Sequence, residues 1–422
     1  MLYQLNEFHR ALIGPSVHLA HAGVRMFSEP DGWLARMPGA PTLAANYELM
    51  YRLGRDYAKP AFGIDTVNVL GAQVLVREQT VLSKPFCKLL HFKRYSDDEH
   101  VVRALKQSPV VLVFAPLSGH HATLLRDTVR TLLCDHDVYL TDWVDARLVP
   151  LAQGAFSLDD YVAYTREFIQ QLTGAKPLHV MAVCQPTVPV LAAVALMAAA
   201  GETTPVTLTL MGGPIDGRCS PTQVNELATT KPLSWFQERL LHEVPRRFPG
   251  RGRKVYPGFL QHTGFIAMNP GRHVNSHRDF YQSLVRGDLE DAAAHRRFYD
   301  EYNAVLDMPA EYYIDCVRVV FQEHLLPRGL WRVAGELVQP QAITAGALLT
   351  IEGELDDISG LGQTRAAHAL CTGVDSARKQ HITVAGAGHY GIFSGRKWRD
   401  FVYPRLRAFI AVSSHRAPCV PG

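Results

Sequence analysis

The stretch His179-Val180-Met181-Ala182-Val183-Cys184-Gln185-Pro186-Thr187, continuing into Val188-Pro189-Val190-Leu191, decides how this chain folds. Val180, Met181 and Val183 form a short apolar run, the pattern of a strand covered on both faces. From Val188 to Ala200 the residues are almost all Ala, Leu, Val and Met, a strong helix former that stops at Gly201. Pro186 and Pro189 fall in or near the first helical turn, where a missing N–H costs least. A strand, a tight turn and a helix therefore follow one another, with Cys184 at the apex of the turn.

Two readings of Cys184 compete. A cysteine of a reducing compartment is most often a small buried hydrophobe. At this apex, however, the free N–H groups of a helix N-terminus favour the thiolate, which is the attacking species. The turn has the small-x-nucleophile-x-small layout of a nucleophile elbow, with Ala182 and Pro186 where glycine is usual. The rest of the chain has to choose between them.

Composition narrows the choice. At 422 residues the chain exceeds one simple domain, so a core with a sizeable insertion is expected. A hydrophobic content of 47% and a charged content of 20% suit a soluble globular enzyme, and a net charge of +3 points to no nucleic-acid partner. The seven cysteines are scattered, odd in number and without a C-x-x-C pair, which argues for a reducing compartment and against structural zinc. No signal-peptide pattern opens the chain, and no window reaches the apolar length of a membrane span. The expected address is cytoplasmic, with no integral membrane segment.

Outward from the elbow, apolar runs alternate with helical patterns. Upstream lie a hairpin at Thr66–Leu70 and Gln73–Val76, a strand at Leu89–Tyr95, and the β-branched run Val110–Phe114, which ends in Ala115-Pro116-Leu117-Ser118-Gly119-His120-His121. The helix Leu124–Leu133, the strand Val138–Thr141 and the helix Leu158–Leu172 then lead to the elbow, and the strand Val206–Met211 follows it. Such alternation means βαβ crossovers and a parallel sheet. It stops from about Cys219 to Pro340, a helical, irregular stretch rich in aromatic residues, and resumes with Ala347–Ile351 and His381–Val384. The expected organisation is a helical arm over 1–60, core over 61–218, an inserted cap over 219–340, core again over 341–412, and a flexible tail over 413–422.

Functional groups gather at the carboxyl ends of strands in such sheets. Cys184, Asp356 and His389 each follow a predicted strand, in the order nucleophile, acid, histidine. That is the chain order of the α/β-hydrolase triad. The expected fold is therefore α/β: an α/β-hydrolase fold with a mostly parallel central sheet, helices on both faces and an inserted, largely helical cap. His389 would exchange a proton with the thiol and the leaving oxygen, and Asp356 would orient the imidazole. Asp357 is the rival acid, and Asp356 is preferred because Asp-x-Ile is the usual form of this loop. The backbone N–H groups of Leu117, Ser118 and Gln185 are the candidate oxyanion donors. His120 and His121 have no third ligand at a metal-binding spacing, so no metal is expected.

These residues also carry a resemblance. The chain resembles the bacterial intracellular polyhydroxybutyrate (polyhydroxyalkanoate) depolymerases, cysteine-nucleophile α/β-hydrolases, nearly end to end. The likeness includes Met1-Leu2-Tyr3-Gln4-Leu5, Lys59-Pro60-x-Phe62-Gly63-Ile64, Ala115–His120, Thr141-Asp142-Trp143, Ala182–Pro186, Met308–Tyr313 and Gly386–Gly391. It implies Cys184 as nucleophile, Asp356 as acid and His389 as base. The implied partners are the polyhydroxyalkanoate granule surface and the polymer chain, cleaved to 3-hydroxybutyrate oligomers or monomer. Coenzyme A would be an alternative acyl acceptor, and no other cofactor is implied. Self-association into a homo-oligomer stays open. A polyhydroxyalkanoate synthase-like acyltransferase is the alternative, although its Gly-x-Cys-x-Gly elbow does not match Ala182 and Pro186. A non-enzymatic granule-coat protein is a third reading, against which the intact triad order argues.

A solid polymer requires an apolar entrance. Most of the aromatic rings between Cys219 and Pro340 should form the cap's own core, with Trp235, Phe236, Tyr256 and Phe259 as candidate substrate contacts. The helical spacing of Leu2, Leu5, Phe8 and Leu12 makes the N-terminal segment the rival contact surface.

Overall fold

The computed structural model describes residues 2–174 and 176–416. The chain opens with two helices, α1 (Leu2–Ser28) and α2 (Ala40–Gly54), which pack against each other as a hairpin. The strands β1 (Thr66–Val69), β2 (Ala72–Ser83) and β3 (Cys87–Tyr95) follow, and α3 (Glu99–Gln107) leads to β4 (Val110–Phe114). The second strand runs well past Val76. Arg77, Glu78, Gln79 and Thr80 are all exposed there, so no alternation of buried apolar residues carries the strand on to Leu82, which again packs against the core.

Next come α4 (Arg126–Leu132), β5 (Asp137–Trp143), α5 (Leu158–Leu172), β6 (Leu178–Val183), α6 (Thr187–Ala199) and β7 (Thr207–Met211). The sheet resumes only with two strands beyond the insertion, Ala347–Gly353 and Lys379–Val384. The nine strands stand in the order β1-β2-β3-β5-β4-β6-β7, then Ala347–Gly353, then Lys379–Val384. From β1 to β5 the neighbours pair antiparallel, and from β5 onward every pair is parallel. This is the α/β-hydrolase fold, with helices on both faces of a large, mostly parallel sheet.

The central strands β4, β6, β7 and Ala347–Gly353 are buried at every position, as the continuous apolar runs required. Helix α6 is buried from Thr187 to Met197 on all sides, the fate of a helix without a polar face. It therefore fixes the elbow rigidly against the core.

Between β7 and the strand at Ala347 the chain leaves the sheet for residues 212–346. That departure is wider at both ends than the 219–340 expected from composition. It carries α7 (Gln223–Thr230), α8 (Leu233–Arg239), β8 (His242–Glu243), β9 (Lys254–Tyr256), α9 (Gly258–Met268), α10 (Pro270–Arg286), α11 (Leu289–Tyr302), β10 (Met308–Pro309) and α12 (Ala310–Asp315). Helix α12 continues as a wide π turn over Cys316–Gln322. Strands β8, β9 and β10 form a small antiparallel sheet of their own, so the cap is not purely helical.

The N-terminal hairpin docks on this cap. Glu48 takes both arms of Arg296 at 2.6 and 2.7 Å, Arg52 reaches Asp300 at 2.8 Å, and the Tyr3 hydroxyl donates to Asp307 at 2.7 Å. Its outer face is different. Leu5, Leu12, Leu19 and Met26 recur every seven residues along α1, with Phe8 beside them, and all five are more than half exposed. Leu43, Met50 and Leu53 are exposed on α2, away from Glu48 and Arg52. Among the described residues no helix is long and apolar enough to cross a membrane.

The last helix, Tyr403–Arg416, runs four residues into the stretch expected as a tail, and Ser414 Oγ lies 3.0 Å from His179 Nε2. Residues 417–422, including Cys419, lie outside the described part of the chain.

Candidate active site

The elbow is built as a strained turn. Cys184 has φ of +69°, a left-handed conformation that a side chain adopts at a cost and that is held by its surroundings. Its N–H donates to the Met211 carbonyl at 2.7 Å, and its own carbonyl accepts from Thr187 N–H at 3.1 Å. Gly213 makes the space for this turn, because a Cβ there would overlap Thr187 Oγ1 and the Cys184 carbonyl. Gly212, with φ of +55°, lies against the histidine, and a Cβ on it would stand 3.3 Å from His389 Cε1. Sequence reasoning passed over these two glycines, although a Gly-Gly-Pro run directly after a buried strand was the available signal.

Asp356 follows the strand Ala347–Gly353, and His389 follows the strand Lys379–Val384. The His389 Nδ1 and Asp356 Oδ2 atoms lie 2.8 Å apart, with the histidine side chain 4% and the carboxylate 0% exposed. The other carboxylate oxygen of Asp356 accepts from the N–H groups of Ile358 at 2.9 Å and Ser359 at 2.8 Å. Its lone pairs are thus engaged on both sides, which keeps a buried carboxylate tolerable. Asp357 is exposed and does not reach the histidine ring.

The Cys184 thiol lies beside the His389 ring in the same cavity. Burial by itself would lower the imidazole pKa, but the Cys184 and Asp356 groups outweigh it and hold the value well above the ordinary range. The order strand β6, strand Ala347–Gly353, strand Lys379–Val384 therefore brings Cys184, Asp356 and His389 together from three separate loops.

The loop after β4 forms the opposite wall. Among the described residues the backbone N–H groups of Leu117, Ser118 and Gln185 have no backbone acceptor. Leu117, Ser118 and Gln185 all line the cavity that holds Cys184. The Gly119 carbonyl accepts from Leu306 N–H at 2.7 Å, which ties this loop to the cap. Gly119 itself has φ of +105°, and a Cβ there would sit 2.6 Å from Gln261 Oε1. His120 is buried against Phe265 at 5.0 Å and against the Tyr302 carbonyl at 3.1 Å, and burial pushes its pKa down to about 4. Among the described residues no group of three His, Cys, Asp or Glu side chains is placed to hold a metal ion.

The cavity has a volume of about 510 Å³ and is roofed by cap elements α7, α9 and α12. Of the four aromatic candidates, Phe236 and Tyr256 line it, Trp235 packs edge-on against Phe236, and Phe259 packs against Tyr3 at 5.5 Å, away from the cavity. None of the four presents an exposed apolar face. The large exposed apolar side chains of the described chain are concentrated instead on the N-terminal hairpin. Tyr312, Tyr313 and Cys316 also line the cavity, and the sequence reading assigned them no part in the site.

Residues 212–414, just under half of the chain, match the family model described as PHB de-polymerase C-terminus. The match spans the cap, Asp356 and His389, whereas the elbow with Cys184 lies upstream of it. No curated protein sequence matches this chain. Among solved structures it is similar to a 2-hydroxy-6-oxo-6-phenylhexa-2,4-dienoate hydrolase from a Rhodococcus strain, at 15% identity, 80% coverage of this chain, 99% of that one and a TM-score of 0.44. It is similar to a carboxylesterase from Nitrososphaera gargenis at 12% identity, 81% and 100% coverage and a TM-score of 0.41. For a non-heme bromoperoxidase from Mycobacterium tuberculosis the figures are 14%, 82%, 98% and 0.41.

Proposed function

We propose that this chain hydrolyses the ester bonds of poly(3-hydroxybutyrate) or a related polyhydroxyalkanoate through Cys184, His389 and Asp356. The observation that carries the reaction class is the His389 ring, bonded to Asp356 on one side and turned toward Cys184 on the other. The family match over the cap and the two later triad residues supports the polyester substrate.

His389 removes the thiol proton, and the Cys184 sulfur attacks the ester carbonyl carbon. The Leu117, Ser118 and Gln185 N–H groups stabilise the oxyanion of the tetrahedral intermediate, and losing one such donor typically raises the barrier by about 3 kcal/mol. The protonated imidazole then gives its proton to the leaving alkoxide, and an acyl-thioester remains. Water enters, His389 takes a proton from it, and a second tetrahedral intermediate collapses to release the hydroxy acid and the thiol. A thiol such as coenzyme A in place of water would yield the acyl-thioester product instead.

The polymer is solid, so the enzyme must hold its surface. The exposed apolar side chains of the N-terminal hairpin, Leu5, Leu12, Leu19 and Met26 on α1 and Met50 on α2, are the contact we propose for the granule. Purified protein should be given amorphous polymer granules and, separately, 3-hydroxybutyryl-CoA. Release of acid from granules supports depolymerase action. Release of coenzyme A with polymer growth assigns a synthase instead, and granule binding without turnover assigns a coat protein.

A further inference from the structure

Tyr312 is 1% exposed, stands on α12 and lines the same cavity as Cys184. Its hydroxyl makes no well-formed hydrogen bond among the described residues and has only the Cys316 thiol beside it. A buried hydroxyl with no stronger partner than a thiol is costly, so its place in the wall of this cavity points to a ligand. The Gln185 side chain, on the residue after the nucleophile, presents a second such atom. Its Nε2 is engaged with the Cys316 thiol at 3.6 Å, while its Oε1 is buried without a donor among the described residues.

Cys316 joins the two. It lies four residues after Tyr312 on one helix face, beside the tyrosine hydroxyl, and it is also the contact of Gln185. Burial pushes its thiol up to about 12, so it stays neutral, and a neutral thiol is a weak partner for either neighbour. A hydroxyl that can donate and an amide oxygen that can only accept thus stand together in a cavity that Phe236, Val317 and Phe321 also line.

An ester oxygen can accept from Tyr312 but leaves Gln185 Oε1 bare. A free hydroxyl accepts from one and donates to the other. We propose that Tyr312 and Gln185 form a subsite for a free hydroxyl on the acyl part of the substrate. This deepens the ester-hydrolase reading and rests on it. In a 3-hydroxyacyl ester the hydroxyl stands on the second carbon from the carbonyl, a reach suited to a subsite that begins one residue after the nucleophile. The acyl unit with a free hydroxyl is the hydroxyl end of a polyester. Cleavage then passes that single unit to Cys184 with loss of the shortened chain as an alcohol, and water releases it as one hydroxy acid.

The test uses three p-nitrophenyl esters: 3-hydroxybutyrate, butyrate and 3-acetoxybutyrate, whose hydroxyl is capped. The unaltered enzyme should show kcat/KM at least about tenfold higher for the first than for either of the others. Tyr312→Phe should bring that ratio close to one. Equal kcat/KM on all three esters overturns the subsite without needing any variant. A second readout needs no turnover: 3-hydroxybutyrate should slow alkylation of Cys184 by iodoacetamide more than butyrate does, and Tyr312→Phe should remove the difference. If esters are hydrolysed with no preference and no differential protection, the subsite falls and the hydrolase reading stands. If no ester is hydrolysed but the protection is selective, the subsite stands and the hydrolase reading falls. Absence of both overturns both.

Discussion

His389 and Asp356 come from loops 33 residues apart, yet their side chains meet at 2.8 Å with almost no exposure to solvent. This contact engages one ring nitrogen and leaves the other free for the role proposed with Cys184. Asp356→Asn should therefore lower ester turnover by about 10⁴-fold, because an amide at that position favours the wrong imidazole tautomer. Asp357→Asn should be mild, since Asp357 is exposed. Steady-state rates on a short soluble ester decide it, and a larger loss at Asp357 would move the acid one residue along.

Cys184→Ala should abolish ester cleavage while leaving the far-ultraviolet circular dichroism unchanged. Iodoacetamide should inactivate the unaltered protein faster than a phosphonylating serine reagent, because the apex carries a thiol. Substantial residual turnover in Cys184→Ala would falsify the nucleophile assignment.

The raised pKa of His389 has a consequence for stability. Burial opposes the charged imidazole, and the Cys184 and Asp356 groups more than compensate. A pKa raised on folding stabilises the protein fully below the ordinary value of 6.5, and that contribution is lost as pH climbs through the raised value. Cys184→Ala removes one of the two causes. The His389 titration, followed by NMR, should then move to lower pH, and its alkaline contribution to stability should disappear earlier. An unchanged midpoint would mean that the thiol does not face the imidazole.

Gly213 has no room for a side chain beneath the elbow. Gly213→Ala should destabilise by about 1–3 kcal/mol and depress activity, because the turn at Cys184 must shift to accept the methyl group. Gly264, within α9, has open space around it. Gly264→Ala should stabilise by about 0.5–1 kcal/mol through its helix preference. Urea midpoints of the two variants should fall on opposite sides of the unaltered protein.

The outer face of the N-terminal hairpin gives a separate expectation. Leu12→Glu combined with Leu19→Glu places two charges among these exposed apolar side chains. Granule binding in a sedimentation assay and polymer turnover should drop far more than turnover of a soluble ester. Equal losses of both activities, with the fold intact, would remove this face from granule contact.

The strand–turn–helix at Cys184 was readable in the sequence because local rules govern it. An apolar run, a proline-marked turn and an unbroken helix former need no distant partner to be recognised. The parallel sheet was readable for the same reason, as were the loops carrying Asp356 and His389, since strand ends are marked by where β-branched runs stop. Other features had no local signature. The length of β2 was hidden by exposed polar residues on an edge-side strand, and the final helix runs through Ser413, where a tail was expected to begin. Which aromatic residues face the cavity beside Cys184 and which fill the cap depends on how α8, α9 and α12 pack, and side-chain type alone does not carry that information. The same holds for Tyr312, Gln185 and Cys316, whose meeting joins residues more than a hundred positions apart. Sequence by itself determined the elbow and the chain order of the three loops that carry Cys184, Asp356 and His389. Tertiary structure alone decided which acid meets His389, what lines the cavity and which apolar face is left bare, because each of these is set by long-range packing in which a residue's neighbours, not its own preferences, fix its surroundings.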